Sequence, residues 1–256
     1  MNKLDLVILV GGKGTRLGSI TKNIPKPLLK INGIPFLQHL INYYSKYNFQ
    51  NIYLIAGYKG HKIKEKFHNK IFNLIKVTCL TEKKRKDTGG ALFEIKKKIK
   101  NDFVLANGDS FISINLKTFF RKKNKYNYIF LNKNTNYSEN KKLINLNINK
   151  NGFLIKKKNS KLINSGVYFF KKSILNKIEN KKISLENQIV PDLIFKKKIK
   201  GIVSKKKLFD IGIRKKLPLI KNNLLEEFRR PAIFFDRDGV INVDNNYVYK
   251  LSDFVF

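Results

Sequence analysis

The segment Gly11-Gly12-Lys13-Gly14-Thr15-Arg16-Leu17 places three glycines among four residues, directly after an apolar run over residues 4–10. Glycine lets a backbone turn through positive φ and approach a ligand closely. The N–H groups of such a turn form a concavity that suits phosphate oxygens. Arg16 adds a planar fork that meets a phosphate through two parallel hydrogen bonds. Lys26, set between Pro25 and Pro27, supplies a fixed point charge for the same phosphates. A glycine-rich turn alone would be an ordinary tight turn. Its combination with Thr15-Arg16-Leu17 and Pro25-Lys26-Pro27-Leu28 points to triphosphate chemistry, and the pattern is neither the dinucleotide fingerprint nor the Lys-Ser/Thr loop of common nucleoside triphosphatases. A second acidic pattern closes the chain: Asp236-Arg237-Asp238-Gly239 after the apolar Ile233-Phe234-Phe235. Two carboxylates two positions apart at a strand end can act as nucleophile and as acid/base, with Mg²⁺ shielding them. The same pattern also occurs as a simple or calcium-like turn.

Elements able to position these residues alternate along the first half of the chain. Short apolar runs rich in β-branched residues predict strands over 4–10, 51–56, 75–80 and 103–107. Helical spacing falls at 35–47, 61–68, 89–99 and 115–123. This alternation predicts an α/β, three-layer Rossmann-like domain with a mostly parallel sheet. Residues 126–170 read as strand-rich, with turns at Asn136 and at Asn151-Gly152. Helices over 171–179 and 184–197 follow, then strands over 199–204 and 208–211. The expected division is a domain over 1–213, a polar linker over 214–230, and a new element from 231 to 256.

Composition narrows the classes. Hydrophobic residues make up 42% and aromatics 12%, enough to bury a sizeable core. No apolar run approaches the roughly 18 residues that read as a membrane span, so no membrane partner is expected. The run at 4–10 lacks a basic leader or cleavage site, and the lone Cys79 fits a reducing, cytoplasmic setting. The net charge of +36 comes from 54 Lys and Arg against 18 Asp and Glu. Only seven of the basic residues are Arg, and the lysines are scattered with Asn and Ile. That reads as compositional bias rather than a specific nucleic-acid surface, while still attracting polyanionic substrates.

The stretch from Gly11 to Leu17, with Thr21 and Pro25 to Leu28, resembles the sugar-phosphate nucleotidyltransferase signature GGxGTRL…T…PKPL. Further similarity runs to about residue 213. The resemblance implies that Gly11, Gly12, Gly14, Thr15, Arg16 and Lys26 bind the triphosphate, with Arg16 and Lys26 stabilising charge as pyrophosphate leaves. It places Thr88, Gly89 and Gly90 near the nucleotide. It places Asn164, Gly166 and Glu186 near the sugar, with Lys158 carried over from a family Glu-Lys pair. Asp109 and Asp210 then become the carboxylates that bind Mg²⁺. In such a transfer the sugar phosphate attacks the α-phosphorus, so positioning and charge neutralisation are the protein's task. Two departures stand out. The family's Leu-Gly ahead of Thr88 is Lys86-Asp87 here, and Lys157-Lys158 stands where the family has Glu-Lys.

The tail from Asp236 to Tyr249 resembles the heptose bisphosphate and histidinol phosphatase branch of the haloacid dehalogenase superfamily. That resemblance implies Asp236 as nucleophile, Asp238 as acid/base, and both as Mg²⁺ ligands. The superfamily's downstream Ser/Thr, Lys and acidic residues find no room after Asp238, so this segment is expected to be the opening of such a domain without phosphatase activity. The pairing favours GTP and a heptose 1-phosphate as substrates, because a heptose bisphosphate phosphatase yields the sugar that a guanylyltransferase would activate. The competing readings are a heptose 1,7-bisphosphate phosphatase and a non-catalytic, charge-driven binding protein.

Overall fold

Strand β1 (Leu4–Leu9) is apolar at every position but Asp5 and buried along nearly its whole length, as a central strand covered on both faces must be. The computed structural model describes residues 3–121, 124–133, 146–228, 234–237, 240–243, 250 and 252. Along the chain, β2 (Lys30–Ile31) and β3 (Ile34–Pro35) form a small hairpin before helix α1 (Phe36–Tyr44) and strand β4 (Phe49–Ala56). Helix α2 (Gly60–Phe67), β5 (Ile71–Phe72), β6 (Ile75–Thr81) and the short α3 (Asp87–Gly90) follow. Then come β7 (Phe103–Asn107), β8 (Ser110–Ile112), α4 (Lys117–Arg121) and β9 (Asn127–Lys133). The last part holds β10 (Leu146–Ile148), β11 (Leu154–Lys156), β12 (Leu162–Phe170), α5 (Val190–Phe195), β13 (Ile199–Ser204), β14 (Leu208–Asp210) and α6 (Leu217–Asn223).

The main sheet runs β11-β10-β12-β7-β1-β4-β6-β5, with β9 paired to β12 and β13 to β9. Pairs β1–β4, β1–β7, β4–β6 and β9–β13 are parallel, and β12 is antiparallel to β7 and β9. The fold is therefore the Rossmann-like α/β arrangement that the alternation predicts, with a mixed, mostly parallel sheet. Chain order reverses between β1 and β7, and at such a switch point the carboxyl ends of the strands open a crevice for ligands. The core cluster joins Val7, Ile55 and Leu105 to Leu92, Ile95, Val190 and Leu193, so one face of the sheet is covered by the segments around α3 and α5. The pleat turns Leu6, Ile8 and Leu54 to the other face. Phe36, Leu40, Ile63 and Phe67 of α1 and α2 are likewise buried but lie outside that cluster.

Several elements depart from the sequence expectation. The helix expected over 89–99 is α3 followed by a tighter turn at Ala91–Ile95. The helix expected over 184–197 opens as a wide turn, in which Ile189 N–H donates to Ser184 O, before α5 begins. Pro191 explains the change: it has no N–H to offer the residue four back, so regular α pairing cannot run through it. The Asn151-Gly152 turn forms as expected, with Gly152 N–H on Asn149 O at 2.9 Å. Asn136 lies outside the described residues.

The chain divides into two units, Met1–Leu224 and Leu225–Phe256. The first runs past residue 213 because Ile220 of α6 and Leu224 just after it, one helical turn apart, are buried, and Asn32 Nδ2 donates to Lys221 O at 2.7 Å. That two-residue apolar stripe is easily lost in the polar composition of 214–230. In the second unit Phe234 and Phe235 are exposed, and Ile241 and Asn242 N–H both close onto Arg237 O.

Candidate active site

The glycine-rich loop leaves β1 at the switch point. Gly14 sits at φ 67°, where a side chain would be strained, and its carbonyl accepts the N–H of Leu17 at 2.9 Å and the Thr21 hydroxyl at 3.1 Å. The loop thus wraps tightly around Thr21 and the stem of Lys26: a Cβ on Gly14 would lie 3.0 Å from Thr21 Cγ2 and 3.3 Å from Lys26 Cβ. Gly12 and Arg16 are exposed at the surface of the loop, and Thr15 lies on its outer side beside Lys13 and Tyr58.

The carboxylates arrive from two distant segments. β7 ends at Asn107, Gly108 N–H binds Leu9 O at 2.8 Å, and Asp109 follows. β14 pairs antiparallel with β8, bringing Asp210 opposite Ser110, and Ile211 N–H binds Asp109 O at 3.0 Å. Lys26 Nζ then lies 2.6 Å from Asp109 Oδ2 and 3.6 Å from Asp210 Oδ1. The two acid oxygens cannot be further apart than the sum of those distances. Gly212 N–H donates to Asp210 Oδ1 at 2.6 Å. A Cβ at position 212 would press on Lys26 Nζ and lie 2.8 Å from Asp210 Oδ1 and 3.2 Å from Arg16 Nη2, so any side chain there displaces the ends of these groups. Breaking a buried pair by deleting one partner is far costlier than the pair's net worth, because an uncompensated charge stays behind. Lys26, whose side chain is only 5% exposed, is in that position.

A cleft of about 380 Å³ opens beside this cluster and is lined by Gly11, Gly12, Lys26, Glu82, Thr88, Asp109 and Glu186, among others. Thr88 Oγ1 donates to Glu186 Oε2 at 2.7 Å and accepts Leu185 N–H at 3.0 Å. Gly89 and Gly90 are buried, and both of their N–H groups are committed to Ile183 O, at 2.8 and 2.9 Å. They fasten the turn rather than face the cleft. Asn164 Nδ2 donates to Tyr168 Oη at 2.5 Å, and Gly166 sits in a bulge of β12 against Asn107 and Ser110. Burial, and then the charge of Glu186, push the Tyr168 hydroxyl pKa up. Asn164 with Tyr168, and Thr88 with Glu186, thus form two hydrogen-bonded pairs, of which only Thr88 and Glu186 line the cleft. Lys158 is exposed and does not line the cleft. Asp236 belongs to the second unit, is exposed, and accepts Arg237 N–H at 2.8 Å; Asp238 lies outside the described residues.

The Lys86-Asp87 departure has a physical solution. Asp87 adopts φ 58°, the left-handed conformation that suits glycine, and Asp is among the few other residues that visit it routinely. Lys86 stays buried by pairing its ammonium with Glu94 Oε1 at 2.5 Å. Its N–H meets Glu82 Oε1 at 3.3 Å. Glu82 escapes a reading by motif, yet it directly follows β6 at the same sheet edge as Gly11 and Asp109, and strand register could have found it. Burial raises its carboxyl pKa, partly offset by the Lys86 N–H.

Asp109 and Asp210 can hold a hard divalent cation. Both offer oxygen, and Mg²⁺ is usually bound by one or two carboxylates, with water and substrate phosphates completing its shell. Among the described residues no group of three or more His, Cys, Asp or Glu that could hold a metal ion is found.

A switch-point crevice, a glycine loop folded on a buried lysine and two converging carboxylates thus meet at one edge of the sheet. The sequence pattern of the family described as Nucleotidyl transferase matches residues 6–217, and the chain belongs to that family. It is 33% identical to D-glycero-alpha-D-manno-heptose 1-phosphate guanylyltransferase of Campylobacter jejuni, over 82% of this chain and 95% of that protein. It is 34% identical to the bifunctional protein GlmU of Methanocaldococcus jannaschii over 78% of its length, and spans about half (49%) of that relative. Among solved structures it is similar to HddC from Yersinia pseudotuberculosis, with a TM-score of 0.73 and 29% identity over 88% of this chain and all of that one. The same protein has been solved complexed with GMP-PN.

Proposed function

We propose that the chain transfers a nucleotidyl group from a nucleoside triphosphate, GTP by preference, to a sugar 1-phosphate, a heptose 1-phosphate by preference, in a Mg²⁺-dependent reaction. The observation that carries this reading is the buried Lys26 in contact with Asp109 and close to Asp210, at the mouth of a cleft bounded by the glycine loop. A phosphate oxygen of the sugar forms a bond to the α-phosphorus while the bond to the departing pyrophosphate breaks. No covalent protein nucleophile is needed, so residues serve by position and charge. The loop amides, Arg16 and Lys26 meet the triphosphate and offset the charge on the leaving pyrophosphate. Asp109 and Asp210 would hold Mg²⁺, which would supply positive charge to offset that developing on the reacting phosphates.

Thr88 and Glu186 line the cleft with hydroxyl and carboxylate groups suited to sugar hydroxyls, whereas the Asn164 amide lies off its lining, bonded to Tyr168 and Gly166. The Glu82 carboxylate, when ionised, is an acceptor only, and guanine's N1–H and exocyclic N2–H donors match it. The guanylyltransferase relatives support the same base and sugar. The test is pyrophosphate release with four nucleoside triphosphates against a panel of sugar 1-phosphates. GTP with a heptose 1-phosphate should give the highest rate. Activity confined to another base or sugar would refute the specificity, and none with any pair would refute the reading.

A further inference from the structure

This inference rests on the reading of Asp109 and Asp210 as cation ligands. Two carboxylates share a Mg²⁺ only if an oxygen of each comes within about 2.0–2.1 Å of one point. Lys26 Nζ stands next to that space, 2.6 Å from Asp109 Oδ2 and 3.6 Å from Asp210 Oδ1. The lysine stem cannot withdraw. It lies in a tight turn, Lys26–Leu28, between two prolines, with Gly14 against its Cβ. Only its terminal atoms have freedom, and the bare Gly212 leaves the room they occupy.

We propose that Lys26 is a resident counter-ion that keeps the Asp109–Asp210 pair closed to divalent cations until a triphosphate arrives to take its ammonium. Without nucleotide, the ammonium offsets one of the two negative charges and repels a dication at contact range, an effect moderated by the partial exposure of Asp109. A triphosphate held by the loop and Arg16 offers the ammonium new anionic partners a short rotation away. The carboxylates are then left to the cation. Nucleotide binding thus comes before, or together with, occupation of the shared cation position.

The test is Mn²⁺ binding to the nucleotide-free full chain, followed by electron paramagnetic resonance, which needs no turnover. Wild type should show no Mn²⁺ site that Asp109→Asn removes. Lys26→Met should gain one, roughly tenfold tighter or more by the Coulomb argument, and Lys26→Met/Asp109→Asn should lose it again. Lys26→Met binding no tighter than wild type overturns the counter-ion role. A new site that survives Asp109→Asn overturns the metal reading instead. Circular dichroism checks the fold, with Lys26→Gln as the second variant. Should neither variant fold, wild type decides: a micromolar Asp109-dependent Mn²⁺ site without nucleotide sinks the proposal, and its absence supports it.

Discussion

Replacing Gly212 by Ala probes the site without removing any charge. The added methyl would press on Lys26 Nζ and lie 2.8 Å from Asp210 Oδ1 and 3.2 Å from Arg16 Nη2. Something must move, and the least costly motion is of the Lys26 ammonium, the free end of a flexible side chain. Overpacking costs typically about 1–3 kcal/mol, and a yielding neighbour puts this case near 1 kcal/mol. For a unit of this size that lowers Tm by roughly 2–4 °C. The catalytic effect should be larger. Displacing a charge-stabilising group by about 1 Å can cost on the order of 10²-fold in rate, equivalent to about 2.7 kcal/mol. The loss should fall on kcat more than on KM for the triphosphate, because the loop amides and Arg16 are retained. Steady-state pyrophosphate release with a thermal melt measures both. Turnover within roughly threefold of wild type at unchanged Tm would show that the ammonium position is not critical, contrary to the transition-state reasoning.

Glu82→Gln should lower the preference for GTP over the other triphosphates by roughly tenfold or more, since a hydrogen bond to a charged group is worth about 1.5–3 kcal/mol; competition assays decide. The guanine acceptor is the ionised form of Glu82 and burial raises its pKa, so GTP affinity should fall with falling pH from above the usual glutamate range, a titration that Glu82→Gln should lack. For stability the sign reverses: the raised folded-state pKa contributes stability present below the ordinary value and lost as pH rises through the folded one, so Glu82→Gln should melt no lower than wild type at neutral pH. Asp87→Val should destabilise by about 1–2 kcal/mol, because a β-branched residue is forced to φ 58°, whereas Asp87→Gly should be close to neutral. Equal urea midpoints for those two variants would contradict the backbone-strain account.

The parallel core was legible because β1, β4 and β7 are buried along most of their length and read as largely apolar runs, while β6 alternates buried with more exposed positions; all four fall within a residue or two of where the pattern puts them. Helices were less legible where tertiary contacts override periodicity. Gly89 and Gly90 pack so closely under residues 181–183 that a regular helix gives way to mixed turns, and Pro191 breaks the pattern ahead of α5. At the site, the loop, Lys26 and the two aspartates were recognisable as separate motifs. Their convergence was not: Asp109 reaches Lys26 through the parallel pairing of β1 with β7, and Asp210 through β14 pairing with β8 from about a hundred residues away. Glu82 and Gly212 acquire their importance only through what folding places beside them.

The lysine-rich composition makes charge a poor guide to function in this chain, whereas burial separates the informative lysines from the rest. Among the described residues only Lys26 and Lys86 are buried. Ammonium groups are almost never fully buried unless paired. Both of these are paired, Lys26 with Asp109 and Lys86 with Glu94. Lys26 lines the cleft, and Lys86 adjoins it through Glu82, which accepts its N–H, and through Asp87, the next residue. Lys86 also lies over the Phe93 ring at 4.9 Å, and its carbonyl accepts Ile183 N–H at 3.0 Å, so its stem and backbone hold the turn that the buried glycines complete. Compositional drift adds lysines where water can solvate them, at little cost. A lysine retained in the interior bears a desolvation penalty that only a specific partner offsets. The two lysines that meet that condition stand at the cleft where a triphosphate is proposed to bind.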